Sequence, residues 1–337
     1  MRTLVVSDLH LGAGQGRAAL EDPELVRVLA DAISRVDRLV LLGDVVELRQ
    51  GPLKDALAAA SRVLPELVAP LEPGREVILL LGNHDHQLQV HSEALSQVEW
   101  MLSQHGAKVR FEYPGVWLRD DVYAHHGHYL DRHTTTPAFE RVAAGVMARF
   151  LKLPLSEMSA VNDYERLLAP IYAWMFAVSQ TSQREIDAAD GGGSARALKL
   201  IRESRGPQWV AVQAALRTLL GTASIARLGP FSSDLSGPML RRSSLLAYGE
   251  VLSVLGLNPT YSIFGHTHRA GPLPGDDPSE WVTKSGVQLI NTGCWVNESA
   301  AFISEEPATD PYRRGFAVEL GESGPPRLVN LLDVTPA

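Results

Sequence analysis

Five short polar motifs lie in one order along the 337-residue chain: SDLH at 7–10, GD at 43–44, GNHD at 82–85, HHGH at 125–128 and GHTH at 265–268. Each follows or closes a short apolar run: TLVV (3–6), LVLL (39–42), VILLL (77–81), VYAH (122–125) and YSIF (261–264). Runs of this length, rich in leucine and β-branched residues, read as buried strands. Open α/β sheets gather ligands at the carboxyl ends of their strands. A fold that uses all five motifs therefore brings Asp8, His10, Asp44, Asn83, His126, His266 and His268 to one edge.

The residue types point to metal. Two divalent cations about 3.5–4 Å apart take oxygen and imidazole ligands, with one carboxylate able to bridge them. Asp and His at i and i+2, as in Asp8/His10 and His266/His268, share a side where the backbone is extended. Each motif alone has a plainer explanation. DLH and GD occur in turns, GNHD can form a turn or a cap, and HHGH can be a surface cluster. Two histidines two apart after a strand, as in GHTH, are harder to assign to packing. The ordered set carries the inference.

The set resembles the calcineurin-like metallophosphoesterase superfamily, whose signature is D-x-H, GD, GNH followed by Asp or Glu, a His before Gly, and GHxH. The resemblance covers 1–128 and about 258–332, including VQLINTGCW (287–295). It implies an α/β fold, a two-sheet α/β/β/α sandwich, here with a large helical insertion. It implies two divalent metal ions, manganese first, with iron, zinc or nickel as alternatives. Asp8, His10 and His268 would hold the first ion, Asp44 would bridge, and Asn83, His126 and His266 would hold the second. His126 is chosen over His125 because it directly precedes Gly127. His84 would be the catalytic histidine, and Asp85 would hydrogen-bond it and fix its tautomer. His128 stands where some relatives carry Asp, so its role stays open. Asn291 and Thr292 would support the ligand loops.

The implied activity is hydrolysis of a phosphate ester or pyrophosphate by a water acidified between the ions. The expected substrate is a phosphorylated small molecule, a lipid-linked phosphate or a nucleotide. A phosphodiesterase or nuclease would use the same metals. Bacterial UDP-diacylglucosamine pyrophosphatases are similar in SDLHL (7–11) and GDVVEL (43–48), but they carry Arg where this chain has His84, and their lid is shorter. A non-catalytic scaffold is opposed by the intact His84 and the full ligand set.

Composition narrows the class. A net charge of −8 argues against broad duplex nucleic-acid binding. The single cysteine, Cys294, excludes a disulfide framework and a thiolate zinc site, and suggests the reducing cytoplasm. The opening MRTLVVSDLH leaves no room for a signal peptide before the first strand, and no apolar stretch is long enough to span a membrane. LGAGQGRAA (11–19) lacks the Lys-Ser/Thr of a phosphate-binding loop and reads as a loop beside the metals.

Helical periodicity marks 23–36, 53–71 with an interruption near Pro65, and 92–106. Segments 281–302 and 313–334 read as antiparallel strands finishing a second sheet. Between 130 and 255 strand signals nearly vanish, and helices are expected over 138–152, 156–189, 195–204, 207–228 and 237–256, broken by the loop ADGGGSA (189–195). The expected division is a catalytic core over 1–129 and 257–337 and an insertion over 130–256. Residues 130–255 carry 14 Lys and Arg against 11 Asp and Glu, whereas the remainder carries 17 against 28. A mildly basic cap beside a phosphate site fits that contrast, although a stabilising bundle or a dimer interface is equally open. Arg132, His128, His133, Arg241, Arg242 and Arg269 are the substrate-contact candidates. Trp174, Met175, Phe176, Tyr172 and Trp209 read first as core, with an apolar groove as the sharper alternative.

Overall fold

The computed structural model describes residues 1–14, 16–181, 230–232, 234, 236–298 and 310–333. The expected helices over 195–204 and 207–228, the loop at 189–195, the far end of 156–189 and Trp209 lie outside these residues.

Three apolar runs and the alternating segment KVRFE form the parallel strands β1 (Thr3–Val6), β2 (Arg38–Leu42), β3 (Glu76–Leu80) and β4 (Lys108–Glu112). Helices α1 (Pro23–Ile33), α2 (Leu53–Val68) and α3 (Ser92–Ser103) connect them. Asp22 caps α1 by accepting the Glu24 N–H at 3.0 Å, and Pro23 occupies the first turn, where its missing N–H costs nothing. The second sheet is ordered β5 (Gly115–Arg119), β6 (Val122–His125), β7 (Tyr261–Phe264), β8 (Gln288–Asn291). Strands β9 (Phe316–Leu320) and β10 (Arg327–Asn330) complete the first sheet, in the order β10-β9-β1-β2-β3-β4.

The two-residue period of the strands sorts their side chains into layers. Leu4, Val6, Leu39, Leu41, Val77 and Leu79 pack under α1–α3. Their alternates Val5, Val40, Leu42, Ile78 and Leu80 meet Val116, Val122, Ala124, Ile263 and Ile290 of the second sheet. The outer face of that sheet, with Tyr123, Phe264 and Leu289, packs on α4 (Phe139–Leu151), α5 (Val161–Thr181) and α6 (Gly237–Val254). Tyr248 of α6 stacks on Phe264 of β7 with ring centres 4.2 Å apart. The result is the α/β/β/α sandwich, and helices from the 130–255 stretch supply its outer helical layer. No helix among the described residues is long and apolar enough to cross a membrane.

Two expectations need correction. Helix α2 runs unbroken through Pro65: the proline cannot donate to the Ser61 carbonyl, but Ala69 N–H still reaches Pro65 O at 2.9 Å, and Leu64, Leu67 and Val68 stay buried. The C-terminal strands do not finish the second sheet: β9 and β10 pair antiparallel beside β1 in the first, while β8 joins the second parallel to β7.

Ile78 is fully buried where the two sheets face each other. We expect Ile78→Ala to cost about 2–5 kcal/mol in urea unfolding. A loss below about 1 kcal/mol would argue that the sheets do not pack tightly face to face.

Candidate metal centre

All five motifs sit where a strand has just ended. The ligand candidates are not in extended backbone, as the i, i+2 spacing had suggested. Asp8, His10, Asp44, His266 and His268 have φ of +56°, +45°, +53°, +68° and +59°. Each such non-glycine residue costs on the order of 1–3 kcal/mol, and clusters of this kind mark functional loops. The kinks turn side chains of consecutive loop residues inward, and cross-loop bonds hold them: Asp8 N–H donates to Gly43 O at 3.1 Å and His10 N–H to Asp44 O at 2.9 Å. Asn291 and Thr292 brace the loops, the first donating to Gly265 O at 2.8 Å and the second meeting Ser7 Oγ at 2.6 Å.

Four groups of ligand atoms converge among the described residues: Asp8, His10 and His268; His10, Asp44 and His84; Asp44, His126 and His266; and His268, Cys294 and Glu298. Asp8 Oδ1 lies 3.3 Å from His268 Nε2 and 3.8 Å from His10 Nε2. Asp44 Oδ2 lies 3.2 Å from His126 Nε2 and 3.8 Å from His10 Nε2, so Asp44 belongs to both halves. His126, and not His125, meets Asp44. His125 accepts the Gly127 N–H on Nδ1, and burial, then the charges of His126 and His266, lower it to about 3.

Each of the four ligand imidazoles is held from outside by an oxygen. Glu47 meets His10 Nδ1 at 3.0 Å, the Leu42 carbonyl accepts from His126 Nδ1 at 2.8 Å, Asp131 meets His266 Nε2 at 3.0 Å, and Glu298 meets His268 Nδ1. An acceptor outside fixes a proton there and leaves a lone pair inside. His10 Nε2 and His268 Nε2 then face each other at 3.1 Å, and buried Asp8 Oδ1 has no hydrogen-bond partner. Lone pairs aimed together at an orphaned carboxylate oxygen fit a cation. The electrostatics agree. Burial pushes Asp8 and Asp44 up, yet the facing histidines hold both below the ordinary carboxylate range. Burial opposes charge on His10, but the carboxylates of Asp8, Glu47 and Asp44 raise it to about 10, and Asp44 and Asp8 likewise raise His126 to about 9. The cluster demands positive charge, which bound cations would supply.

Asn83 sits 3.0 Å from His266 Nδ1 through its amide oxygen. Hydrogen bonding alone favours the opposite amide orientation, with nitrogen toward Asp44 and His266 and oxygen on Arg49. A cation beside His266 would select the oxygen.

The expected Asp85–His84 pair is absent. Asp85 instead accepts the N–H groups of Val45 and Gly82, both at 2.7 Å, tying two ligand loops together, and burial with the Asp44 charge raises it to about 7. The partner of His84 is Glu47, whose oxygens lie 2.8 and 2.9 Å from Nδ1. Burial lowers His84, Glu47 pulls it back up, and Arg49 adds to the depression. His84 is also the most solvent-reached imidazole of the cluster. Four contributors thus escaped sequence reasoning: Glu47, Arg49, Asp131 and Glu298. For Glu47 and Asp131 a signal existed, an acidic residue three positions after Asp44 and three after His128.

The substrate-contact candidates scatter. Arg241 and Arg269 line a cavity beside His266, each paired with acids: Arg241 with Glu280, Arg269 with Asp276. Arg242 and His133 border a separate hollow. Arg132 is buried near Tyr164, and His128 is packed among Tyr113, His125 and Tyr129, where burial lowers it.

The sequence profile of a family described as calcineurin-like phosphoesterase matches residues 1–270. No curated protein matches the chain.

A Cβ on Gly82 would stand 2.3 Å from Asp44 Oδ1 and 2.5 Å from the His126 ring. We expect Gly82→Ala to lower bound metal below two per chain, read by elemental analysis of folded protein. Full loading would mean that the two residues need not approach Gly82 this closely.

Proposed function

The chain belongs to the calcineurin-like phosphoesterase family, whose members are metal-dependent hydrolases, and on that premise we propose that it cleaves a phosphate ester of a small phosphorylated molecule at the cluster around Asp44. The observation that carries the proposal is the inward convergence of imidazole lone pairs on Asp8 and Asp44, each ring locked from behind by an oxygen.

In this reading Asp8, His10 and His268 hold one divalent ion, Asn83, His126 and His266 a second, and Asp44 both, with manganese the first choice. Two such ions would acidify a water and neutralise charge on phosphoryl oxygens. The remaining work falls to the chain. Glu47 fixes His84 through Nδ1 and so leaves Nε2 as the atom that can hold or release a proton in the cleft. His84 is depressed in the free protein. A phosphoryl dianion beside it supplies the negative charge that favours its protonated form, poised to donate to a leaving alkoxide. Arg49, its charge matched by Glu140, is buried against Asn83 on the same side and walls that part of the centre. The core over 1–129 and 257–337 then carries the chemistry, and the insertion over 130–256 borders the opening as a cap. A reducing, cytoplasmic setting suits the lone buried Cys294.

The test is turnover of p-nitrophenyl phosphate and its bis ester by metal-stripped protein re-fed Mn²⁺. Activity should require metal and vanish in Asp44→Asn. His84→Ala should keep two metals yet lose about 10²–10⁴-fold in turnover. Full activity of that variant on an alkyl ester would remove the acid role. Wild-type protein that binds two metals and turns over neither ester would sink the hydrolase reading on these substrates.

A further inference from the structure

A cavity of about 190 Å³ opens beside His266, between the second sheet and helix α6. Its floor includes Phe264, Thr267 and Asn291, from the strand ends and loop that carry His266 and His268, and its far wall is Leu240, Ser244 and Leu245 of α6. Two residues that line this cavity each carry a buried polar atom with no hydrogen-bond partner: the indole Nε1 of Trp281, a donor, and Oδ2 of Asp131, an acceptor. Both residues are more than nine-tenths buried. Asp131 uses its other oxygen on His266, so the unpartnered one lies directly behind a metal-ligand candidate. Orphaned buried polar atoms are rare and costly, and a pair lining one cavity at a reactive centre points to a ligand.

We propose that this cavity is the leaving-group subsite and that it takes an uncharged, hydroxyl-bearing sugar ring, either a free monosaccharide phosphate or the ribose of a nucleotide. The inference rests on the hydrolase reading above and names its substrate class. In that hydrolysis the oxygen of water forms the new bond to phosphorus, the ester P–O bond breaks, and the sugar departs as its alcohol after taking up one proton.

The lining decides between ligand chemistries. An acyl chain would leave both Trp281 Nε1 and Asp131 Oδ2 unpaired. A second phosphate needs cations, but Arg269 is bound to Asp276 at 2.5 Å and Arg241 to Glu280 at 2.6 Å, so the guanidinium charges are already matched. A sugar ring offers hydroxyls as acceptor for the indole and donor for the carboxylate, and it lays its C–H face on Leu240, Leu245 and Phe264. The volume suits one ring, being well below the roughly 300–1,000 Å³ of sites for drug-sized ligands. The Arg269 guanidinium stacks on the indole, 5.5 Å from the ring centre, and holds the donor in place.

The experiment compares kcat/KM for glucose 6-phosphate, uridine 5′-monophosphate and ethyl phosphate on the Mn²⁺-loaded full chain. At least one ringed ester should exceed ethyl phosphate by about tenfold or more, and whichever does identifies the source of the ring. Trp281→Phe keeps an aromatic ring but removes the N–H along with the rest of the five-membered ring, while Leu240→Trp fills the cavity. Both should shrink the preference ratio toward one. Equal turnover of all three esters by wild type, or a ratio untouched in both variants, would overturn the subsite. Absence of turnover on any ester, p-nitrophenyl phosphate included, would instead overturn the hydrolase reading, and the subsite with it.

Discussion

Everything around the centre follows from burying Asp8, Asp44 and Glu47 together with His10 and His126 at a single edge. Carboxylates leave water only when charge and hydrogen bonds replace it. Here the facing imidazoles and the implied cations supply the charge, and loop amides supply the bonds. The outer oxygens of Glu47, Leu42, Asp131 and Glu298 decide which nitrogen of each ring points inward. Without them the rings could rotate or exchange tautomers, and the donor set would lose its aim. Five left-handed ligand residues are the conformational cost of that aim. Bonds that cross from loop to loop, such as Asp85 to Val45 and Gly82 and Trp295 N–H to Asp8 O at 3.0 Å, hold them there.

The two-sheet sandwich is what makes such a centre possible. Asp8, His10, Asp44 and Asn83 follow strands of the first sheet, and His126, His266 and His268 follow strands of the second. The packing of Val40 and Ile78 against Ala124 and Ile263 therefore sets the separation between halves of the site, so core volume is coupled to metal geometry. Helix α5 ties the outer layer to the same edge. Its Glu165 receives Tyr113, Tyr129 and His86, and its Ser179 donates to Leu48 O at 2.7 Å. A half-buried acid satisfied by three side chains fixes the helix in one place beside the ligand loops.

The sequence exposed the strands, the edge at which they end and the residues that gather there, because strand period and ligand chemistry are both local. It misled where the answer depended on what lies opposite. The i, i+2 pairs suggested extended backbone, and the left-handed kinks became visible only once cross-loop bonds were present to hold them. Asp85 is next to His84 in sequence but bonds the amides of Gly82 and of distant Val45, and Glu47, three residues after Asp44, is the residue that reaches His84. β9 and β10 carry ordinary strand patterns, and nothing local in them selects β1 over β8 as neighbour. Pro65 interrupts the helical pattern in sequence, but it removes a single bond, to the Ser61 carbonyl, and burial of Leu64, Leu67 and Val68 holds the turn in place.

The charge contrast between the insertion and the rest shows the same limit. Counting residues made 130–255 mildly basic and suggested a cap that draws phosphate. Among the described residues near the centre, Arg241 of the insertion pairs with Glu280, and Arg269 and Arg49 of the core pair with Asp276 and with Glu140 of α4. Charges matched at contact distance cast little field beyond about a Debye length, some 8–10 Å in physiological salt. At the cavity beside His266, attraction for a phosphoryl group therefore arises at the centre, from cations and the imidazoles around Asp44. The paired arginines act instead as fixed walls: guanidinium planes stacked or forked against aromatic and acidic partners lose little entropy on contact. A wall of that kind selects by shape and by its unpaired hydrogen-bonding atoms, which puts discrimination among phosphorylated compounds in the cavity beside His266.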